Sequence, residues 1–550
     1  YKGEWVAEVK GGNIFEDPKV ILTDRGKNLY LEPIDVRILV ENNKDAIEVI
    51  EGEAIDFIND TYKKYKNKVD LFVVSFSGGK DSQVVLDLVS RTLHPEDYIV
   101  IFTDTTMEIP PTYETYNKTV EYYKSLYPNL RFYVARNEKH SYELWKIFGP
   151  PSRLIRWCCS VYKTSPQVRL LKSLFPEKEK LKILVFDGVR ADESTRRSGY
   201  ERIAQEVKHY LQINAEAIRN WNITEVFLYV YRRNIPVNKG YRFGLSRIGC
   251  SICPFGSPWS EFVLNKAYAE RVGEYLKIIR EHVRNLGITE DEEIRKYIVQ
   301  GNWKKRGGGE GVERGDVRID FIESVDSLRV IMKNPRENLF EWLKVLGPSN
   351  IRLIRENEYV GEVFIDSTNI NLICEFINQD INLDITTSLS SQTLSKFRRV
   401  FYKTAYCIHC GICEAECPSS AIRVSPSVRV NTNKCIHCFN CLNFVEDGCM
   451  LAKSIDKVGK TMKKDKGLRG FGRYLTFGMR SIWLEDYILN LNNWFLKNNL
   501  GNKQLESMIQ WLKDSELIRV KEKTPTDLCL KLKEVYEVNK ALFYQVIWIN

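Results

Sequence analysis

The chain has 550 residues, 43% of them hydrophobic, and this length gives room for three or four domains. No apolar run reaches the roughly 18 residues of a membrane span and no secretory signal opens the chain, which predicts a cytoplasmic protein without a membrane partner. The formal net charge of +9 allows a nucleic-acid partner without requiring one.

The N-terminal part of the chain begins with a mixed region over residues 1–65, with strand-like segments before a helical stretch near 44–66. LFVVSF (71–76) then predicts a buried strand that passes through glycines into a helix. YIVIFTDT and LKILVFDGVR predict two more buried strands. Buried strands that alternate with helices indicate an α/β fold with a doubly wound parallel sheet over residues 66–260.

The segment SGGKDS stands between the first of these strands and its helix. Glycines let backbone N–H groups approach a phosphate, and a helix N-terminus favours negative charge. Lys80 adds a positive charge, and we expect it to lie in a solvent-facing loop. The spacing does not fit the Walker A pattern, but it resembles the PP-loop of N-type ATP pyrophosphatases, which cleave ATP between the α and β phosphates. Read alone, such a turn is equally compatible with a structural role.

Four further motifs follow this loop: DTTMEIP (104–110), RLIRWCCSVYKTSP (153–166), GVRADESTRR (188–197) and RIGCSICPFG (247–256). In this order, and together with SGGKDS, they resemble the phosphoadenosine phosphosulfate reductase family over about residues 66–260. The resemblance implies a PP-loop fold of the adenine-nucleotide α-hydrolase type. It also implies that an adenine nucleotide lies across the carboxyl ends of the strands.

The resemblance assigns roles to individual residues of the nucleotide site. Phosphate binding falls to the loop, and Mg²⁺ would be held by Asp81 or Asp104. Catalytic roles are implied for Lys80, for these two carboxylates and for Arg190, Glu193 and Arg197. Nucleotide binding is implied for the loop and also for Asp104, Gly188 and Arg190. The loop residues are Ser77, Gly78, Gly79, Lys80 and Ser82, and the residues that would line the reacting end of the nucleotide are Arg190, Glu193, Ser194 and Arg197.

A pair of adjacent cysteines in RWCCS is matched by a C-x2-C pair in GCSICP further along the chain. This pattern resembles the [4Fe-4S] site of adenylylsulfate reductases. A structural zinc is the alternative for four cysteines in two pairs. The flanking Arg156 and Lys163 would neutralise their charge. The four cysteines are Cys158, Cys159, Cys250 and Cys253.

Two departures separate this chain from the sulfonucleotide reductases of the family. Those reductases usually carry a degenerate loop, often with an acidic residue where this chain has Lys80, because their substrate has already lost pyrophosphate. They also attack sulfur with a cysteine in a C-terminal ECG-x-H type motif, whereas Cys529 lies in TDLCLKL. The intact loop, the E-x-P element after Asp104 and the cysteine pattern look more like the ATP pyrophosphatases of DNA phosphorothioation systems.

Two segments link the nucleotide domain to the next cysteine-rich stretch. Residues 261–345 are predicted to be a helical extension, interrupted by RGGGEGVERG (306–315), which we expect to be a mobile loop. Residues 346–400 are predicted to form a small α+β connector. Cys374 within it, like Cys529, sits in apolar surroundings and is predicted to be a buried thiol.

Eight more cysteines lie in one compact stretch, over residues 401–455. The first four read C-x2-C-x2-C-x3-C-P, the bacterial ferredoxin signature in which the fourth cysteine ligates the other cluster. The second four read C-x2-C-x2-C-x7-C, and the longer last gap makes Cys449 the least regular ligand. We therefore predict a 2[4Fe-4S] ferredoxin domain and three clusters in the chain. Crossed ligation groups Cys407, Cys410, Cys413 and Cys449, and separately Cys435, Cys438, Cys441 and Cys417.

The last part of the chain, residues 456–550, opens with the basic run KVGKTMKKDKGLRG (457–470), which we interpret as a linker. Two helical segments and the strand-like LIRVKEKTPTDLCLKL then predict a winged-helix domain. This stretch resembles a domain of unknown function associated with phosphorothioation systems. Asn502, Lys503 and Gln504 at a helix start would reach DNA. A helical cap or a dimerisation module, and thus a homo-oligomer, is the alternative.

These motifs favour an ATP-dependent iron–sulfur enzyme that inserts sulfur into nucleic acid, with the DNA backbone as the first candidate and tRNA thiolation as a related one. Its expected partners are a cysteine desulfurase or other sulfur donor, an electron donor and DNA. The competing enzyme hypothesis is a reductase of adenylylsulfate or its 3′-phosphate that forms sulfite with ferredoxin electrons. A redox-sensing DNA-binding protein is the non-enzymatic alternative, but a sensor has no need of an intact ATP-cleaving loop.

Overall fold

The computed structural model falls into two compact units, residues 1–459 and 460–550, and each is described by itself. No helix in the described ranges is long and apolar enough to cross a membrane. The residues described are 4–30, 32, 34–178, 180–205, 209–313, 315–324, 327–386, 389–456, 479–495, 498, 500–519 and 524–549.

The N-terminal region is a β-hairpin followed by three helices. The two strands pair antiparallel, and the long third helix buries one face, with Ile47, Ala54 and Ile58 in the same core as the central sheet. This region therefore packs on the nucleotide domain. Its elements are β1 (Ala7–Lys10), β2 (Lys19–Leu22), α1 (Asp24–Lys27), α2 (Val36–Asn42) and α3 (Lys44–Tyr65).

The central sheet has six strands, and five of them are parallel. The innermost strands are buried on both faces, as expected for Val- and Ile-rich strands that are covered by helices on two sides. In space the order is β5-β4-β3-β6-β8-β7, with β7 antiparallel at one edge. The strands are β3 (Leu71–Phe76), β4 (Tyr98–Asp104), β5 (Arg131–Arg136), β6 (Ile183–Phe186), β7 (Ile203–Gln205) and β8 (Gln212–Ala215).

Helices cover both faces of this sheet, and alternate residues of each strand point into two different cores. Val74 of β3 faces the core shared with α3 and α4, whereas its neighbour Val73 faces the core that contains Val168 and Leu171. The predicted doubly wound α/β fold is confirmed. A π-helix (Ser160–Thr164) joins α7 to α8. The helices are α4 (Lys80–Thr92), α5 (Pro110–Leu126), α6 (Ser141–Phe148), α7 (Trp157–Cys159), α8 (Ser165–Leu174), α9 (Thr195–Ser198) and α10 (Ile223–Arg233).

The helical extension is shorter than its sequence predicted. It consists of α11 (Pro258–Ala267), α12 (Ala269–Asn285) and α13 (Asp291–Val299). The segment expected to be a mobile loop begins with Arg306, which is 1% exposed. Its guanidinium donates to the carbonyls of Pro150 (2.8 Å), Ser454 (2.9 Å) and Phe148 (3.1 Å), so this end of the segment is firmly anchored.

An antiparallel six-stranded sheet follows, in the order β11-β12-β13-β14-β10-β9. The two strands of this sheet that come first in the chain, β9 and β10, occupy residues 318–333, where the sequence predicted helix. LRVIMK alternates between buried and exposed positions, the period of a half-buried strand, and the surrounding charged residues obscured this short pattern. The elements are β9 (Arg318–Glu323), β10 (Leu328–Lys333), α14 (Leu339–Leu343), β11 (Ser349–Arg355), β12 (Glu358–Ile365), β13 (Thr368–Ile377) and β14 (Asp380–Ile385).

The ferredoxin-like segment begins at the end of a long helix and packs directly on the nucleotide domain. Trp145, Phe148 and Trp157 of the nucleotide domain share one buried core with Met450 and Ile455 of this segment. The two parts are thus a single packed body. The elements are α15 (Ser391–Tyr406), α16 (Ile412–Glu416), β15 (Ile422–Arg423), β16 (Arg429–Val430), α17 (Asn440–Asn443) and α18 (Met450–Ile455).

The C-terminal unit is helical. Its helices are α19 (Ser481–Asn490), α20 (Asn502–Asp514), α21 (Asp527–Val538) and α22 (Lys540–Ile549). The prediction that LIRVKEKTPTDLCLKL forms strands is wrong for its second half, because TDLCLKL belongs to α21. The N-cap of this helix is Thr526, whose hydroxyl accepts from the Cys529 N–H at 3.2 Å. Among the described residues between α20 and α21, one antiparallel bridge joins Ile518 to Pro525.

The DNA-contact residues predicted for this unit fall mostly outside the described part of the chain. The residues outside the described part are the basic run 457–470 and the side chains of Asn502 and Lys503. The side chain of Gln504 accepts a hydrogen bond from the Gly501 N–H at 3.0 Å and caps its own helix. Cys529 is buried, as expected, and its thiol lies 3.9 Å from the hydroxyl of Tyr487.

Candidate functional site

The SGGKDS loop is held in shape by its own hydrogen bonds at the carboxyl end of β3. The Ser77 N–H donates to Ser82 Oγ (3.2 Å), and that hydroxyl donates to the Gly79 carbonyl (2.9 Å). Gly78 has φ +73°, and a Cβ there would stand 2.8 Å from Thr112 Cγ2. Glycine is therefore needed for both the backbone conformation and the close approach of α5.

Lys80 is the first residue of α4, and it is buried, with 4% of its surface exposed. The expectation of a solvent-facing lysine is wrong, because the side chain folds back over the helix start. Its ammonium donates to Asp81 Oδ2 (2.9 Å), and Arg190 Nε donates to Asp81 Oδ1 (2.6 Å). Lys80 and Arg190 thus share Asp81 at a helix N-terminus, where an anion is favoured, and Arg190 also pairs with Asp192 at 3.4 Å.

The GVRADESTRR segment reaches this cluster from the end of β6. A Cβ on Gly188 would stand 2.8 Å from the backbone carbon of Asp81, so the two loops touch. The Arg190 N–H donates to Glu193 Oε2 (3.2 Å), and Glu193 in turn pairs with Arg197. Burial lowers the pKa of the Arg197 guanidinium, and the nearby charge of Arg247 lowers it further. The guanidinium of Arg197 therefore stands near that of Arg247, and the carboxylates of Asp187 and Glu216 are also close enough to act on it.

Asp104, at the end of β4, is fully engaged by protein groups. Its carboxylate accepts from the Tyr113 hydroxyl (2.9 Å), the Thr106 N–H (2.7 Å) and Arg136 Nε (2.8 Å). Asp81, the other Mg²⁺ candidate, is held by Lys80 and Arg190. A metal ion at either carboxylate would have to replace these contacts, and the Mg²⁺ assignment stays a prediction.

Tyr241 is a site residue that sequence reasoning missed. Its hydroxyl accepts the Lys80 backbone N–H at 2.9 Å, although the two residues are 161 positions apart, and its ring centroid lies 5.4 Å from the Lys80 ammonium. It stands where an anion at the start of α4 would bind. Nothing in KGYRF signals this role, since the contact depends on how the chain returns to the sheet.

The first four-cysteine group gathers beside this nucleotide site. Cys158 and Cys159 lie on α7, and Cys250 pairs with Glu108 through an isolated β-bridge. The hydrogen bond that Cys158 donates to Cys159, burial and the charges of Cys159, Cys250 and Cys253 raise the pKa of the Cys158 thiol, so all four thiols are electrostatic neighbours. The same bond lowers the pKa of Cys159 to about 5, with help from Lys163 and Arg156.

Lys163 and Glu108 are charged side chains beside this group, and Glu108 is buried whereas Lys163 is exposed. The charge of Cys250 raises the pKa of the Lys163 ammonium, and Glu108 and Cys159 add to it. Glu108 lies 3.9 Å from Cys250 Sγ, and burial raises the pKa of its carboxyl. Arg156 Nη2 lies 3.9 Å from Cys159 Sγ. Two cations, Lys163 and Arg156, are thus available to balance the thiolates of an anionic cluster.

Replacing Lys163 with Met should reduce iron at this group alone. The substitution keeps the length of the side chain but removes a positive charge that acts on several of the thiols. Iron determination after anaerobic reconstitution should give a fall of up to about four irons per chain. Lys146→Met is the control, because that lysine is likewise exposed and its ammonium lies over the ring of Tyr142. Full iron content in Lys163→Met would show that the charge is not needed.

The eight cysteines of the ferredoxin-like segment form two groups. Burial and the charges of Cys413, Cys449 and Cys410 raise the pKa of Cys407, and burial with the charges of Cys413 and Cys449 raises that of Cys410 to about 12. The pKa of Cys435 is raised by burial and then by Cys417 and Cys438. These neighbours agree with crossed ligation, although the charge of Cys413 also raises the pKa of Cys441 in the other group. Among the described residues, no three His, Cys, Asp or Glu side chains converge tightly enough for a single metal ion.

The continuous helical segment from α7 through α8, which begins with Cys158 and Cys159, also contacts the ferredoxin-like segment. Asn137 Nδ2 donates to the carbonyls of Val161 (3.2 Å) and Cys410 (3.4 Å). Lys172 Nζ donates to three carbonyls, those of Glu414, Ala415 and Cys417. Both Cys158 and Cys410 contribute to the raised pKa of Tyr162, after burial. The first cysteine group therefore borders the group that contains Cys410.

Two domains of known families match this chain. Residues 71–255 match the phosphoadenosine phosphosulfate reductase domain, and residues 399–444 match a 4Fe-4S dicluster domain. These matches confirm the resemblance that the five motifs and the ferredoxin signature carried.

Several curated proteins are similar over part of the chain. An uncharacterized protein of Methanocaldococcus jannaschii is 33% identical over 267 residues, which are 48% of this chain and 52% of that protein. A second one from the same organism is 31% identical over 281 residues, 51% of this chain and 62% of that protein. The chain thus spans only about half to three fifths of these relatives. The adenosine 5′-phosphosulfate reductase of Geobacillus kaustophilus is 27% identical, over 36% of this chain and 78% of the reductase.

A solved structure of phosphoadenylyl-sulfate reductase from Candida auris, in a phosphate complex, is 20% identical to this chain. It covers 40% of this chain and 97% of its own, with a TM-score of 0.28.

Proposed function

We propose that this chain, which carries a phosphoadenosine phosphosulfate reductase domain joined to a 4Fe-4S dicluster domain, is an ATP pyrophosphatase-type enzyme that activates nucleic acid for sulfur insertion. The observation that carries the proposal is the Lys80–Asp81–Arg190 cluster at the start of α4. Its cations stand where the loop backbone can hold a polyphosphate. An already cleaved sulfonucleotide has no pyrophosphate to place there.

In the proposed reaction, a substrate oxygen attacks the α-phosphorus of ATP, the bond to the β-phosphate breaks, and pyrophosphate leaves. Lys80 and the α4 N-terminus would stabilise the charge that develops on the leaving group. Arg190 and Arg197 would hold the α-phosphate and the substrate oxygen near each other. Sulfur at the sulfide level then displaces AMP, so that one oxygen of the substrate is exchanged for sulfur.

The cysteine groups would serve the second half of this reaction. Cys158, Cys159, Cys250 and Cys253 would hold a [4Fe-4S] cluster, which supplies a binding place for sulfur and a route for electrons. Release of sulfide from a persulfide donor, such as a cysteine desulfurase, consumes two electrons. The ferredoxin-like groups lie behind α7 and α8, with Asn137 linking Val161 to Cys410, and this arrangement supports delivery of those electrons from an external donor.

The DNA backbone is our proposed acceptor. The net charge of +9 and the basic run 457–470 support a polyanionic substrate. The cations around Arg190 and Arg197 suit a phosphodiester oxygen as well as the phosphates of ATP. A base carbonyl of tRNA would use the same activation by AMP.

The second candidate is a reductase that forms sulfite from adenylylsulfate or its 3′-phosphate. The relatives named adenosine 5′-phosphosulfate reductase favour it. Against it stand the intact loop with Lys80 and the burial of Cys529, since a thiol nucleophile must reach its substrate. In the reductase reaction, electrons from the ferredoxin-like clusters would have to take over the reducing role of that thiol.

The two reactions differ in their products. The iron-loaded protein should release pyrophosphate from ATP when duplex DNA is present, with AMP following only when a sulfur donor is added, and it should leave adenylylsulfate unreduced in the presence of a low-potential reductant. With a cysteine desulfurase, cysteine and the same reductant, mass spectrometry of digested DNA should detect phosphorothioate dinucleotides. The α,β-methylene analogue of ATP should stop sulfur incorporation, because its bridge cannot be cleaved.

Sulfite from adenylylsulfate, without pyrophosphate from ATP, would replace the proposal by the reductase. Pyrophosphate release that needs RNA and not DNA would keep the chemistry and change the acceptor.

A further inference from the structure

Lys403 lies inside α15, between the two cysteine groups of the ferredoxin-like segment. Only 1% of its surface is exposed. Its ammonium donates to Cys413 Sγ at 2.7 Å and lies 4.8 Å and 4.9 Å from the ring centroids of Trp342 and Phe444. A lysine in such a place is unusual, since lysine is almost never fully buried unless it is paired.

A buried ammonium needs a negative partner, because the loss of its hydration is otherwise costly. Within the described ranges, Lys403 forms no ion pair with a carboxylate, and its hydrogen bond goes to a cysteine sulfur. The balancing charge thus comes from the sulfur of Cys413, a predicted cluster ligand.

The cysteines near Lys403 belong to both groups. Cys413, which accepts its hydrogen bond, is a predicted ligand of one cluster, and Cys441 is a predicted ligand of the other. Cys441 lies on α17, which packs against α15, and Phe444, whose ring the ammonium faces, directly follows α17. One positive charge in an aromatic-lined position therefore lies beside both groups.

We propose that Lys403 is a shared counter-ion of the two ferredoxin-type clusters, which raises the reduction potentials of both. A fixed positive charge favours the reduced form, since that form carries one more negative charge, and low-dielectric surroundings strengthen the effect. The proposal rests only on the dicluster part of the proposed function and is independent of the nucleotide reaction. Lys403 would act on the reduction potentials of the clusters and would not contact a substrate.

The test is a redox titration of the iron-loaded full-length protein, followed by electron paramagnetic resonance. Lys403→Met removes the charge at nearly constant length, and Lys403→Arg keeps it. We expect Lys403→Met to lower the potentials of both ferredoxin-type clusters by at least about 59 mV, a tenfold shift of each one-electron equilibrium. Lys403→Arg should stay closer to the unchanged protein, and the cluster beside the nucleotide site should keep its potential.

Lys396→Met is the matched control. Lys396 lies on the same helix and also faces an aromatic ring, 4.1 Å from the centroid of Phe439, but its ammonium pairs with Asp366 at 2.8 Å. Its charge is already balanced, so its loss should move the potentials much less. An equal shift in Lys396→Met would mean that any nearby cation has this effect, and the specific role of Lys403 would be wrong.

The remaining outcomes also decide the question. Unchanged potentials in Lys403→Met would overturn the proposal, and a shift confined to one cluster would overturn the shared role. Iron loss in Lys403→Met that Lys403→Arg restores would support a counter-ion, whereas loss in both variants would assign the residue to packing alone. None of these measurements uses ATP, so failure here leaves the pyrophosphate test unaffected.

Discussion

Replacement of Lys80 by Ala is expected to abolish measurable pyrophosphate release from ATP. Removing one preorganised group that faces a developing negative charge costs about 10²–10³ in rate. Lys80 stands at the start of α4, with its ammonium 2.9 Å from Asp81, and no other lysine is in contact with that carboxylate among the described residues. The initial rate of pyrophosphate formation with saturating ATP measures the effect.

Because Lys80 is buried, its loss also removes packing against Tyr241. Lys80→Met separates the two effects, since it keeps the aliphatic chain and removes only the charge. It should be as inactive as Lys80→Ala but more stable to heat. Lys118→Ala, at an exposed position of α5, should retain full activity. Normal pyrophosphate release by a folded Lys80→Met protein would show that the loop does not hold pyrophosphate.

Replacement of Cys410 by Ser should remove the ferredoxin-type signal of one cluster and lower the iron content from roughly twelve to roughly eight per chain. Cys410 is partly buried and neighbours Cys407, Cys413 and Cys449 through their charges, so a hydroxyl there leaves one ligand position poorly filled. The cluster beside the nucleotide site should survive, because its cysteines come from other parts of the chain. Iron analysis and electron paramagnetic resonance of anaerobically purified protein measure both effects.

Cys374→Ser is the matched control for this change. Cys374 is a fully buried thiol of β13 outside the three groups, so its replacement should lower stability and leave the iron unchanged. Iron near eight with one zinc in the unchanged protein would instead identify the Cys158 group as a structural zinc site. Full iron in Cys410→Ser would contradict the predicted ligand set.

Local motifs predicted the parts of this protein that depend on neighbouring residues. The turn at Gly78, the strand–loop–helix order and the ferredoxin spacing all lie within short stretches, and each limits the backbone on its own. The exposure of Lys80, by contrast, was predicted wrongly, because it depends on a segment far away in the sequence. A lysine after two glycines indicates a phosphate loop, but only the returning segment with Tyr241 decides whether its side chain meets water.

Features that depend on residues far apart in the sequence were not predicted from it. Lys403 stands in KFRRVFYKTAY, a basic helix that by composition alone favours an exposed face, and its burial follows from the cysteines on either side in space. The strands at 318–333 and helix α21 were misread because short apolar alternation is ambiguous between helix and strand. In both places tertiary packing decided the outcome.

The core shared by the nucleotide domain and the ferredoxin-like segment has a consequence for the order in which the protein matures. Ser454 donates to the Phe148 carbonyl across 306 residues of chain. At about 5–20 residues per second, translation needs roughly 15–60 s to span that distance. During this interval the newly made aromatic face around Trp145 and Trp157 lacks its partners and is open to chaperones and to aggregation. Iron loading of Cys158 and Cys159 on a growing chain would therefore take place on an unfinished surface.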